Sequence, residues 1–163
     1  MTLDELNALD REVFAAALGS IFEDSPWVAA CAWDDRPFAS IDALHGAMVE
    51  AVESVAVAQQ IALLRAHPDL GTRAQVSDAS LAEQAGAGLD RLTPDEFDRL
   101  AALNAAYRSH FGFPFLYAVK GSTKHDILSA LEQRIRSSYD EEFNEALRQV
   151  YRIARFRLEN AIS

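Results

Sequence analysis

Thr93-Pro94-Asp95-Glu96-Phe97-Asp98-Arg99-Leu100-Ala101-Ala102-Leu103-Asn104-Ala105-Ala106-Tyr107-Arg108-Ser109-His110-Phe111-Gly112 is the stretch that decides the fold. Thr93, Pro94 and Glu96 together supply an N-cap, a proline at the first helical position and a capping box. Phe97, Leu100, Asn104, Tyr107 and Phe111 follow at spacings of three, four, three and four. That spacing predicts one continuous helical face. Gly112 marks the stop, and Pro114 forbids continuation.

Similar punctuation recurs outward from this helix. Thr2 with Glu5 has capping-box spacing, and Asp10 can cap a helix carrying Phe14, Leu18 and Phe22. Ser25-Pro26 predicts an N-cap before an N1 proline, and Ser40 opens a helix bearing Leu44, His45, Met48 and Val52. A further helix, about Val55 to Arg65, runs into His67-Pro68. Thr123 with Asp126 starts another, and Asp140 is expected to start the last, with Phe143, Leu147, Val150, Ala154 and Leu158 on one face. The stretch Phe115 to Val119 alone reads as strand-like, without an evident partner. The expectation is an all-α single-domain multi-helix bundle over residues 1–163.

The 163 residues are half apolar and one quarter charged, with a net charge of −10. That is the balance of a globular protein of one domain. The acidic excess argues against nucleic acid, whose phosphates need clustered Lys and Arg. No apolar run approaches the roughly 20 residues of a membrane span, so no membrane partner is expected. Met1-Thr2-Leu3-Asp4-Glu5 lacks a basic n-region, and Ala161-Ile162-Ser163 is no peroxisomal address, so a cytoplasmic location is expected. Cys31 is the sole cysteine, in the apolar run Val28 to Trp33, and reads as a small core residue.

Three segments break local helical rules in the way sites do. His67 precedes a proline, which ends the helix before it. An imidazole at a helix C-terminus has its protonated form favoured, as a proton donor needs, or it simply caps free carbonyls. Ser80-Leu81-Ala82-Glu83-Gln84 has Ser and Glu at capping-box spacing. Glu83 can bond the Ser80 amide, or Glu83 and Gln84 can face a ligand held at a helix start. Phe111-Gly112-Phe113-Pro114-Phe115 reads as a packed aromatic corner. The main-chain groups of Leu116 to Val119 then need partners, which a planar, amide-rich ligand can provide. Asn104, polar on an apolar stripe, needs a partner too and reads as a loop tie.

Together these residues resemble the 2-oxo-4-hydroxy-4-carboxy-5-ureidoimidazoline (OHCU) decarboxylases of urate breakdown. The resemblance is densest from Leu64-Arg65-Ala66-His67-Pro68-Asp69-Leu70, through Glu83-Gln84-Ala85-Gly86-Ala87-Gly88-Leu89-Asp90-Arg91-Leu92-Thr93 and Leu103-Asn104-Ala105-Ala106-Tyr107, to Val119. It implies His67 as catalytic proton donor, with Glu83 beside it in catalysis. It implies Pro68, the stretch Ser80, Leu81, Ala82, Glu83 and Gln84, and the stretch Phe115, Leu116, Tyr117, Ala118 and Val119 as substrate-binding. Leu116-Tyr117 are larger or more polar than the family's usual aliphatic pair at these positions. The resemblance further implies an all-helical fold, a small-molecule substrate, (S)-allantoin as product, no cofactor and a tendency to dimerise, so a homodimer is expected. No metal is expected either, since no second His-Asp or His-x-x-x-His spacing supports a metal site.

Two other readings make different demands. A metal-dependent phosphohydrolase would use His67, His125 and Asp126, although Asp126 has capping-box spacing to Thr123. A non-catalytic helical interaction module would expose an apolar helix face. Convergence of the three rule-breaking segments on one cavity would favour the decarboxylase.

Overall fold

Capping side chains set where most of the helices begin. The structure, a computed structural model, describes residues 1–71 and 77–163. Among these the chain forms nine α-helices and no strand. They are α1 (Leu3–Asn7), α2 (Arg11–Ala17), α3 (Trp27–Ala32), α4 (Ile41–Glu53), α5 (Val57–Arg65), α6 (Asp78–Gly86), α7 (Pro94–Phe111), α8 (Lys124–Arg134) and α9 (Tyr139–Ala161). The expected all-α class is therefore met. Thr2, Asp10, Ser40, Thr93 and Thr123 each accept a bond from a first-turn amide, as their spacing predicts.

Several boundaries differ from the expectation. α2 ends at Ala17, so Leu18 and Phe22 lie beyond it although both are buried. The N-cap of α3 is Pro26, with no side-chain cap bond; Ser25 Oγ instead donates to the Glu23 carbonyl at 2.9 Å. Ser77 caps α6, three residues before Ser80, and α9 starts one residue early, with Ser138 Oγ accepting from the Glu141 amide at 3.2 Å. Cys31 is exposed rather than in the core. In each case an apolar run or a Ser-x-x-Glu spacing fits more than one helical register, and neighbouring packing decides between them.

The chain divides into two compact units, residues 1–66 with 150–163, and residues 67–149. In the first, α3 packs on α2 and on α4. Phe14, Phe22, Leu44, Met48 and Val52 are each no more than 1% exposed. Two buried charges meet there, Arg157 Nη1 and Glu23 Oε2, at 2.9 Å. His45 Nε2 donates to the Tyr151 carbonyl at 2.8 Å, so this histidine ties α4 to α9 within the unit.

The second unit holds all three rule-breaking segments. α7 packs on α8, and Tyr107, Phe113 and Phe115 fill the space behind them, all fully buried. α7 stops as predicted, at Gly112 with φ of 81°. Only glycine takes that left-handed conformation without strain. At the other end, the Glu96 carboxylate accepts from the Thr93 amide at 2.9 Å and from Lys124 Nζ at 2.6 Å. The Lys124 bond, then the Thr93 amide, hold the Glu96 carboxyl down to a pKa of about 2.

That shift has a defined consequence in acid. Because the folded value lies below the unfolded one, the contribution of Glu96 is complete above the ordinary glutamate value of about 4.3. It is lost as pH falls towards 2. Glu96→Gln should therefore lower stability at neutral pH and flatten the acid limb in urea denaturation followed between pH 5 and 2. An acid limb of unchanged slope contradicts the assignment.

Candidate active site

His67 is 6% exposed, and it follows directly on Ala66, the C-cap of α5. The chain then turns through Pro68, Asp69, Leu70 and Gly71. Side chains from two helices seize that turn. Asn104 Nδ2, from the buried face of α7, donates to the Leu70 carbonyl at 2.8 Å. Gln84 Oε1, from α6, accepts from the Gly71 amide at 2.9 Å. Arg108, one turn beyond Asn104, pairs with Asp69 at 3.1 Å.

Gly71 adopts φ of +80°, which favours glycine, and a Cβ there would stand 2.6 Å from Leu100 Cδ2, forcing that side chain to shift. The turn carrying His67 is thus fixed from both sides. Asn104 is the loop tie its sequence position suggested.

The stretch Phe115 to Val119 is fixed from one edge. Arg134, in the last turn of α8, donates through Nη1 to the Leu116 carbonyl at 2.6 Å. Gln149 Oε1, from α9, accepts from the Ala118 amide at 2.9 Å. The Phe115 and Tyr117 rings stack with centroids 6.0 Å apart, the i, i+2 spacing of extended chain.

In an extended backbone, main-chain groups of alternate residues point to opposite edges. Those of Leu116 and Ala118 are spent on Arg134 and Gln149. Those of Tyr117, with the Val119 amide, therefore face the other edge. The Tyr117 side chain is itself occupied, its hydroxyl lying 2.9 Å from Ser122 Oγ.

Behind this stretch lies a buried charged network. Glu142 is 1% exposed and accepts from Tyr107 Oη at 2.5 Å and from Arg134 Nε at 2.6 Å, with Arg134 Nη2 paired to the same oxygen. The Arg134 guanidinium also lies 4.5 Å from the centre of the Phe115 ring. Burial, then the Glu142 bond, push the Tyr107 hydroxyl well above the usual phenol range, so it stays a donor.

The sequence-predicted site residues fall into distinct situations. His67 and Gln84 are buried, and Pro68 and Glu83 half-buried. Ser80 is buried too, but in the first turn of α6, its amide bonded to Ser77 Oγ at 3.2 Å. The expected helix start at Ser80, and with it the Ser80–Glu83 capping box, are thus corrected to Ser77. Leu81 and Ala82 are exposed. Gln84 uses its carbonyl oxygen to hold Gly71, and its NH₂ end can donate to a ligand.

The first two segments are therefore brought together by a direct bond. A cavity of about 720 Å³ lies beside the turn, lined by Asp69, Leu70, Gly71, Asn104 and Arg108 over an apolar floor. Neither Ser80–Gln84 nor Phe115–Val119 lines that cavity. Gln149, Arg134 and Glu142 are not among the residues the sequence singled out. Their signal is present but faint: Gln149 and Glu142 are polar residues next to apolar stripe positions of α9.

Among the described residues no three His, Cys, Asp or Glu side chains gather as a metal set. His125 and Asp126 are exposed, and Asp126 closes the capping box of α8. Neither favours the phosphohydrolase. Among the described residues no single helix is long and apolar enough to cross a membrane.

The family model for OHCU decarboxylase matches residues 7–159. A 2-oxo-4-hydroxy-4-carboxy-5-ureidoimidazoline decarboxylase of Halalkalicoccus jeotgali is 47% identical over 98% of this chain and 90% of its own length. A protein of the same description from Haloferax volcanii is 47% identical over 100% of this chain and 97% of its own. Among solved structures, an (S)-allantoin synthase superposes with a TM-score of 0.82 at 35% identity, covering 99% of this chain. The chain spans 54% of that longer protein.

The Asn104 tie can be tested by a single-atom change. Asn104→Asp replaces the donor to Leu70 with an ionised acceptor, leaving a buried carbonyl unpaired at a cost of about 1–3 kcal/mol or more. Burial raises the pKa of the new carboxyl, and its protonated form can donate again. The variant should therefore be less stable than the parent at pH 7 and recover as pH falls towards 5. A deficit independent of pH in urea denaturation would argue that the bond to Leu70 is not what Asn104 supplies.

Proposed function

The chain belongs to the OHCU decarboxylase family, and from that premise we propose that it releases carbon dioxide from OHCU to give (S)-allantoin in urate breakdown. The observation that carries this reading is identity of 47% over essentially the whole length of a decarboxylase.

The chemistry asks little of the protein beyond positioning. When the carboxylate leaves as carbon dioxide, its bonding pair moves into the bond to the adjacent imine carbon; the hydroxyl-bearing carbon then becomes the product carbonyl as the ureido-bearing carbon is protonated. The reaction proceeds without a cofactor. What remains is to hold the ring, keep water from the carboxylate, and protonate a single face.

In this reading His67 is the proton donor, and its burial beside the clamped turn supports delivery to one face. Pro68 packs against the ligand. The free edge of Phe115 to Val119, with the Tyr117 N–H and C=O and the Val119 N–H, binds the planar ureido and amide groups and stabilises enolate-like charge. Use of the backbone there fits the departure at Leu116-Tyr117, since the Tyr117 hydroxyl is already engaged by Ser122. Glu83 accepts from the ureido N–H groups, and Gln84 offers its NH₂ while holding Gly71. Ser80 to Ala82, near the start of α6, border the ligand. The same reading makes residues 1–163 one domain, acting as a cytoplasmic homodimer, as the family resemblance implies.

The test is to generate the unstable substrate in situ from urate, with urate oxidase and hydroxyisourate hydrolase, and follow allantoin by circular dichroism. Rapid appearance of one hand of allantoin, unaffected by chelator, is expected; the slow spontaneous rate overturns the proposal. His67→Ala should lose about 10²–10⁴-fold in kcat, and a near-normal rate removes the donor role. Glu83→Gln should raise KM and lower the optical purity of the product. If both stay at the parental values, Glu83 does not touch the substrate.

A further inference from the structure

Buried ion pairs are poor stabilisers, because desolvation cancels most of their attraction, and well-packed apolar residues often do as well or better. The Tyr107–Glu142–Arg134 network therefore invites a reason other than stability. Its geometry supplies one. Three of its four connections look inward: Tyr107 Oη and Arg134 Nε bond Glu142, at 2.5 and 2.6 Å, and Arg134 Nη2 pairs with the same carboxylate. The fourth looks outward, from Arg134 Nη1 to the Leu116 carbonyl at 2.6 Å. The guanidinium lies against the Phe115 ring one residue earlier. The network's single output is the register of the stretch that precedes Tyr117.

We infer that Arg134, held by Glu142 and Tyr107, is a positioning residue that sets the free main-chain edge at Tyr117 and Val119 for the substrate. Glu142 holds the guanidinium through the Nε hydrogen bond, with Nη2 against the same oxygen, and Nη1 is thereby turned towards Leu116. Gln149 performs the matching task at Ala118, its own amide nitrogen anchored on Glu145 at 2.8 Å. With Leu116 and Ala118 drawn to one side, Tyr117 is presented to the other. Arg134 itself touches no reacting atom. Its effect is on how well the ring is gripped, so it should appear in KM and in the handedness of the product more than in kcat.

This inference rests on the decarboxylase reading, and one assay separates the two. The unaltered chain is measured first with substrate generated in situ. Lack of an enzymatic rate there overturns both. With activity established, two variants test the network. Arg134→Lys keeps the charge beside Glu142 but lacks the fork that reaches Leu116 at the same time. It is expected to stay folded with a melting temperature lowered by several degrees, to raise KM about tenfold with kcat changed far less, and to yield allantoin of lower optical purity. The triple variant Tyr107→Phe, Arg134→Met, Glu142→Leu replaces the whole network by apolar side chains of similar size. It is expected to melt cooperatively and to show at least the same rise in KM. A folded triple variant with parental KM and optical purity overturns the inference. Should the triple variant fail to fold, parental KM and optical purity in Arg134→Lys overturn it equally.

Discussion

A guanidinium that can satisfy a buried carboxylate and a loop carbonyl in one plane is the constraint on which the second unit turns. Arg134 binds Glu142 and Leu116 together, and the Tyr107 hydroxyl donates to the same Glu142 oxygen. Around it the aromatic corner assembles: Tyr107 meets Phe111 with centroids 4.6 Å apart and meets Phe115 edge-on at 5.4 Å. The apolar rings exclude water from the charges, and the charges orient the backbone that joins the rings. An irregular stretch with no strand partner is thereby tied at two main-chain groups, the Leu116 carbonyl and the Ala118 amide. The His67 turn is held by the same logic in neutral form, through the amides of Asn104 and Gln84.

Much of this was legible in the sequence where local chemistry decides. The Thr93-Pro94-Glu96 start of α7, its Gly112 stop and the capping box at Thr123 all depend on residues within four positions of one another. They formed as their spacing predicts. Asn104 was legible as a loop tie because an amide on an apolar stripe must find a partner. The start of α6 was not, since Ser77 and Ser80 are both competent caps and only packing selects the earlier one. Cys31 misled because an apolar run around a helix necessarily puts some of its members outside.

The partners of Leu116 and Ala118 were beyond reach for a different reason. Arg134 lies 18 residues from Leu116, and Gln149 lies 31 from Ala118. Nothing local in either position declares that pairing. The three sequence segments stood out through their broken rules; the residues that make those breaks usable are ordinary members of good helices. A site carried on main-chain groups leaves its signature in its supports, and those are scattered along the chain.

The central claim is that substrate is gripped by the free main-chain edge at Tyr117 and Val119 and protonated from His67. A crystal structure of the protein with (S)-allantoin tests it most directly. The account predicts the allantoin amide groups within hydrogen-bond distance of the Tyr117 main chain and the Val119 amide, with the His67 imidazole facing the ring carbon that carries the ureido group. Allantoin seated instead in the cavity beside Asn104 and Arg108, with His67 and the Tyr117 edge untouched, would contradict it.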